Sequence, residues 1–342
     1  MQRIPSALFV LALAMAVIAA TAAPLHADEL HLTNGKVLHG LLEEQTRGGY
    51  KFLEVGAKRS KTVKTRTVEK LVLTFKLPDF VYEDPEWSQQ MVDDRLLSDF
   101  DPEWGEMEIL RSKHYIVFTN SSAGKKYLET MEDTYKRFRK IFPFEENKDA
   151  RLMPVFLFKT RQHYIEYTVK NTGLSESQAA GTGGHAWKDY YATYYGAPKD
   201  PVHYHEGAHQ LVHNRLEIRG GGSWFQEGMA VYFEGTVFTA EDPAKGMKSE
   251  IRSDRHTPLP ELMELRSLLM SSDSNRDASL GSRRYRQAGS VVKFLVEGKH
   301  KKRYQDMLDG LKAGKKWPEI FQETCGLTVE EIEEQWKDFY GA

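Results

Sequence analysis

Residues 203–234 read HYHEGAHQLVHNRLEIRGGGSWFQEGMAVYFE, and this stretch decides how the rest is read. His205 and His209 are four apart, so on an α-helix both imidazoles leave one face, roughly 6 Å apart along the axis. Two nitrogens so placed can share one tetrahedral metal ion. Glu206 stands beside the first, where a carboxylate reaches a water on the metal without binding the metal itself. Gly220-Gly221-Gly222 breaks the helix, Ser223 is placed to cap the next, and WFQEGMAVYFEG reads as a second helix. Glu227 lies 227 − 209 = 18 positions beyond His209, and a helix, a tight return and a second helix can bring its carboxylate back to the metal. Three protein ligands leave a fourth position for water, which marks a catalytic Zn2+ site rather than a closed structural one. The expectation is a metal centre of His205, His209 and Glu227 with Glu206 as general base. One helix does not easily bring three imidazoles to one metal, so His203 and His213 are expected as surface or supporting histidines. Glu234, seven beyond Glu227 on the same helical face, either orients a metal-bound histidine or is a solvated acid.

Immediately upstream the pattern is mixed α/β. From residue 106, EILRSKHYIVFTN reads as one strand, and the segment after Ser121-Ser122 as an amphipathic helix capped by one of those serines. LMPVFLFKT is a second strand and RQHYIEYTVKN a short helix. SESQAAGTGGHAW reads as a Gly-rich loop, and KDYYATYYG as a tyrosine-rich strand able to offer its edge to an extended substrate. Downstream, PLPELMELRSLLMSS and the segments after it show helical spacing, with Thr328 and Glu331 forming a capping box. Arg283, Arg284 and Arg286 mark either a charged helix start or an attraction for an acidic substrate.

The N-terminal part has a different character. Residues 1–27 carry Arg3, an apolar run from Ala7 to Ala20 and small residues before Ala27, the pattern of a cleaved secretory signal peptide. The run is short for a full membrane span, so no stable span is expected after cleavage, and the chain is expected to be exported. Residues 28–77 hold four or five short strand-like runs, one hairpin turning at Asn34-Gly35, and fit a small SH3-like β-barrel. Residues 78–105, with Pro78, Pro85, Pro102 and many acids, read as a linker to a domain over 106–342. Within the barrel, Lys58, Arg59, Lys61, Lys64, Arg66 and Lys70 face only Glu69, either as an edge guarded by charge or as a patch for an anionic partner. The whole chain of 342 residues has 47 basic and 49 acidic side chains, so no global field attracts nucleic acid or an anionic membrane. Its one cysteine, Cys325, excludes an intrachain disulfide and is expected as a buried small hydrophobe.

The combination HEGAH with WFQEGMA resembles the gluzincin metallopeptidases, whose pattern is HExxH with a Glu in a W-x-x-EG-x-A helix. The likeness covers roughly residues 106–342 and is nearest to exported members of that clan. It implies an α+β zincin-like domain with a small mixed sheet, the HExxH helix and a helical C-terminal lobe, preceded by the small all-β barrel. It also implies Zn2+ on His205, His209 and Glu227, Glu206 as base and later acid, and peptide substrates. RRYRQAGSVVKFLVEG is similar to a gluzincin segment whose Tyr donates to the tetrahedral oxyanion, which gives Tyr285 that role. The aminopeptidase branch carries G-x-M-E-N upstream, with an acid for the substrate amine. Here the region reads GTGGHAW, without an acid, which leaves endopeptidase or other amide hydrolysis open. A non-catalytic wall- or matrix-binding protein on the same scaffold is the rival from another class. Against it, a scaffold has no physical need for a carboxylate beside the metal.

Overall fold

The computed structural model describes residues 28–46, 48–73, 102–105, 107–146, 152–187, 190–194, 197, 200–239, 244–269 and 278–342. The expected signal segment, 1–27, and the expected linker up to residue 101 lie outside the described residues. The fold is mixed α+β, with a mixed sheet and a helical C-terminal region.

Five strands come first: β1 Asp28–Leu32, β2 Val37–Thr46, β3 Gly49–Glu54, β4 Lys61–Val63 and β5 Val68–Val72. The β1–β2 hairpin turns at Asn34-Gly35, where Gly35 takes φ 80° and the Asn34 side chain accepts from the Lys36 amide at 3.1 Å. A 3₁₀ turn, Thr65–Thr67, returns the chain so that β5 pairs with β1. Strand β2 is ten residues long, and its two halves have different partners on one side. Its first half pairs with β1, and Glu44 and Gln45 pair with Leu110 and Ile109 of β6, Glu108–Arg111. At the junction the Asp28 carboxylate accepts from Arg111 Nη1 at 2.6 Å, Arg111 Nη2 at 3.0 Å and the Leu42 amide at 2.8 Å. The N-terminal strands are therefore continuous with the larger sheet.

EILRSKHYIVFTN is two strands rather than one. Strand β6 turns at Ser112-Lys113-His114 into β7, Tyr115–Thr119, and the Ser112 hydroxyl accepts from the Tyr115 amide at 3.2 Å. Helix α1, Gly124–Ile141, starts at Ala123 with no side-chain cap, so neither Ser121 nor Ser122 caps it. Strand β8, Met153–Leu157, runs parallel to β7 and leads into α2, Arg161–Thr172, capped by Thr160. The expected Gly-rich loop is instead a short helix α3, Glu176–Ala180, with a Ser175 capping box, followed by strand β9, Gly184–Trp187. Strand β10, Tyr190–Thr193, lies between β8 and β9, so β9 and not the tyrosine-rich strand is the sheet edge.

The central strands are buried on both faces, which explains their unbroken apolar runs. Tyr115, Val117, Val155, Leu157 and Tyr191 face the helices. Ile116, Phe118, Phe156, Tyr190 and Ala192 face the opposite core, shared with Leu30, Leu38, Leu42 and Phe52 of the N-terminal strands. On the helical face lie α4 Pro201–Asn214, α5 Gly222–Glu234, α6 Met247–Arg252, α7 Leu259–Glu264, α8 Ala278–Glu297, α9 Tyr304–Lys312, α10 Trp317–Cys325 and α11 Val329–Phe339. The Thr328–Glu331 capping box opens α11. Trp224 and Phe225 of α5 are fully buried, with ring centroids 5.0 and 5.1 Å from Trp317. Burying each of these two rings contributes about 3 kcal/mol. Helices α5 and α8 cross at glycines: a Cβ on Gly228 would lie 2.7 Å from Ala288 O, and one on Gly289 2.5 Å from Val231 Cγ1. Among the described residues, no helix is long and apolar enough to cross a membrane.

Candidate metal centre

Helix α4 begins at Pro201, with the Asp200 side chain accepting from the Val202 amide at 3.0 Å. Gly207 lets it sit close to α1, since a Cβ there would lie 3.0 Å from Thr134 Cγ2. Gln210 Nε2 donates to Pro154 O at 2.9 Å and ties the helix to β8. Helix α5 then returns through Gly221 and Gly222, both at positive φ (92° and 80°). Gly221 is itself the N-cap and no side chain caps the helix, so Ser223 does not have the expected role.

The return brings His205, His209 and Glu227 together, with one ligand atom from each within 4.8 Å of the others. Glu227 Oε2 stands 3.3 Å from His205 Nε2 and 3.4 Å from His209 Nε2. Glu234, two turns along α5, accepts from His205 Nδ1 at 3.2 Å, so its carboxylate is spent on orienting that ring. Beyond Glu234 the helix widens into a π turn, Gly235–Thr239. The donor set, two imidazole nitrogens and one carboxylate oxygen, is of the type that suits a borderline-soft divalent ion such as zinc. Burial alone would lower the His205 pKa, but its hydrogen bonds to Glu227 and Glu234 outweigh that and raise it to about 10. Burial likewise opposes ionisation of Glu227, but the facing His209 and His205 hold it far below the usual carboxylate range.

Glu206 is not among these ligands. Its Oε2 accepts from the Ala186 amide of edge strand β9 at 2.8 Å. Burial raises its pKa against the opposing pull of His209 and His205. Tyr285, on α8, brings its ring centroid to 6.4 Å from that of His205. Burial and the nearby Glu227 and Glu206 carboxylates push its phenol well above the usual tyrosine range, so it stays protonated.

Two further histidines support the site: the sequence left His203 between a surface and a supporting role and did not single out His185. His203 is not a surface residue: it is fully buried, donates from Nε2 to Ala197 O at 2.9 Å, and accepts at Nδ1 from the Tyr191 hydroxyl at 2.9 Å. It fixes the first turn of α4 to β10. His185, next to Ala186, lies between the Tyr164 hydroxyl at 3.2 Å and the Tyr190 hydroxyl at 3.3 Å, which steadies the edge that holds Glu206. Two of the arginines near Tyr285 are tied to neighbouring elements. Arg284 is buried against Thr257 and Glu261, and Arg286 lies 3.3 Å from Glu250. In the N-terminal strands Lys58, Arg59, Lys61, Lys64, Arg66 and Lys70 are all exposed, and Lys61 pairs with Glu54. Compared with known proteins, the chain matches no family model and no curated sequence.

Proposed function

We propose that the chain is an exported zinc-dependent peptidase of gluzincin type, with a zincin-like catalytic region preceded by a small SH3-like barrel. The observation that carries the reading is the convergence of His205 Nε2, His209 Nε2 and Glu227 Oε2, with a fourth group, Glu206, held beside them by a backbone amide. His205, His209 and Glu227 would hold the zinc ion, which when bound would supply Lewis acidity toward a peptide carbonyl and a water. Glu206 does the proton work. Its Oε2 is committed to the Ala186 amide, so Oε1 takes the proton from the attacking water. The same oxygen returns that proton to the departing amine. Tyr285 donates its phenolic hydrogen to the developing oxyanion, a role that its protonated state suits. Glu234 keeps His205 turned so that Nε2, not Nδ1, faces Glu227.

The test is metal analysis with peptide profiling on the purified protein. About one zinc per chain is expected, and a chelator should abolish cleavage. Glu206→Gln should keep the metal and lower cleavage by roughly 100- to 10,000-fold, the range supplied by a positioned base. A Glu206→Gln protein as active as the wild type would sink the mechanism. A zinc-loaded wild type inert toward a broad peptide library would sink the peptidase reading.

A further inference from the structure

Far along the chain from the metal centre, three side chains from three elements meet in a second arrangement. Cys325, at the end of α10, is half-buried, not enclosed in the core. Its Sγ lies 3.3 Å from Nδ1 of His300, in the turn after α8. The other ring nitrogen, His300 Nε2, lies 2.6 Å from Oε1 of Gln335 on α11. The tautomer follows. A Gln carbonyl oxygen only accepts, so the proton of a neutral His300 is on Nε2 and Nδ1 presents a bare lone pair to the thiol. The Thr324 hydroxyl, 3.5 Å from Sγ, already donates to Ile320 O at 2.6 Å and leaves the thiol proton to His300. The Phe294 ring, 5.7 Å away and edge-on, supports the imidazole.

We infer that Cys325, His300 and Gln335 form a base-assisted thiol site that exchanges with small, carboxylate-bearing disulfides. The pattern is nucleophile, base and orienting group in series. Preference for anions follows from the surroundings. His300 stands within the run Lys299-His300-Lys301-Lys302-Arg303, four cations in five residues. Of the acids on α10 and α11, Glu323 pairs with Lys315, Glu333 and Glu334 pair with Lys337, and Glu331 accepts from the Thr328 amide, while Arg303 of the basic run pairs with Asp306. In the exchange the Cys325 proton passes to His300 Nδ1 as Sγ attacks one sulfur of the disulfide. The disulfide S–S bond breaks and a Cys325 S–S bond forms. The leaving thiolate departs with the electron pair and takes the proton from His300. Cys325 is oxidised to a mixed disulfide, and one equivalent of small thiol is released.

The probe is 5,5′-dithiobis(2-nitrobenzoate), a doubly anionic disulfide, added to the full chain, with release of its coloured thiolate, whose proton equivalent passes from His300 to water, followed from pH 6 to 9. At pH 7 the native protein should react at least tenfold faster than the same chain unfolded in guanidinium, where Cys325 is an ordinary thiol. His300→Ala should remove that acceleration. Gln335→Leu should lower the rate several-fold and move the pH profile toward the unfolded one, while Gln335→Glu, which keeps an acceptor oxygen, should restore it. Uncharged dithiodipyridine should be accelerated less than the anionic probe; equal acceleration would overturn the anion preference. A native rate no faster than the unfolded rate, or one unchanged by His300→Ala, would overturn the site. The native-to-unfolded comparison decides the matter on wild type even if a variant fails to fold.

Discussion

At the residue scale, the candidate metal centre depends on groups that bind nothing themselves. Replacing Glu234 by Ala frees the His205 ring to rotate and should weaken metal affinity roughly 10- to 100-fold with the fold unchanged, read by competition against a chelating dye. A variant with wild-type affinity would show that the hydrogen bond orients nothing. His185 and His203 bear on acid stability. Burial lowers both to about 4, against 6.5 in the unfolded chain. Their neutral forms are fully accommodated above pH 6.5. Below that the unfolded state takes up protons that the fold refuses, so stability falls as pH drops from 6.5 to 4, by on the order of 2 kcal/mol per ring. Denaturant melts across that range should show the loss, and His203→Gln should flatten its slope; an unchanged slope would mean that His203 does not titrate differently in the fold. The clustered histidines His205 and His209 and the neighbouring Glu206 were legible because a four-residue spacing on a helix is local geometry. Ala186 was not, because its contribution is a backbone amide that any residue except proline would supply. His203 was left between a surface and a supporting role because position along α4 says nothing about which side of it meets β10.

At the element scale, the α5–α8 crossing sets the distance between Glu227 and Tyr285. A Cβ on Gly228 would meet backbone atoms of Ala288, which cannot step aside as a flexible side chain can. Gly228→Ala should therefore push the helices apart and cost about 1–3 kcal/mol in a denaturant melt, with a loss of the proposed peptide cleavage beyond the loss of folded protein. An unaltered midpoint would show that the crossing has slack. The Gly220–Gly222 break was legible because consecutive glycines permit the positive φ that such a return needs. The cap was misassigned for the same reason, since Gly221 enters the helix at φ 92° and leaves Ser223 inside it. Two other elements were misread where composition and conformation diverge. Ser112-Lys113-His114 turns the chain without Gly or Pro, so β6 and β7 looked like one strand. The glycines around β9 suggested a loop, although small residues suit a strand packed this closely: a Cβ on Gly184 would lie 3.0 Å from the Tyr191 ring.

At the scale of the whole molecule, the junction of β1, β2 and β6 is the contact that sequence patterns do not announce. Alternation within each strand shows that it pairs, but not that β2 divides its length between two partners. Its electrostatic clasp, Asp28 with Arg111, is 5% exposed or less on both sides. Arg111→Ala would leave a buried carboxylate uncompensated and should cost about 3–5 kcal/mol, whereas the double replacement Asp28→Ala with Arg111→Ala should cost less than the sum of the singles. Additive losses would show that the pair is not coupled. The shared β2 also bears on dissection of the chain. A truncation inside 78–105 would leave β6 with an open hydrogen-bond ladder and remove Leu30, Leu38, Leu42 and Phe52 from the core they share with Ile109, Ile116 and Phe118. Such a fragment offers a template for self-association, so the C-terminal part produced alone should precipitate or form oligomers where the intact chain stays dispersed.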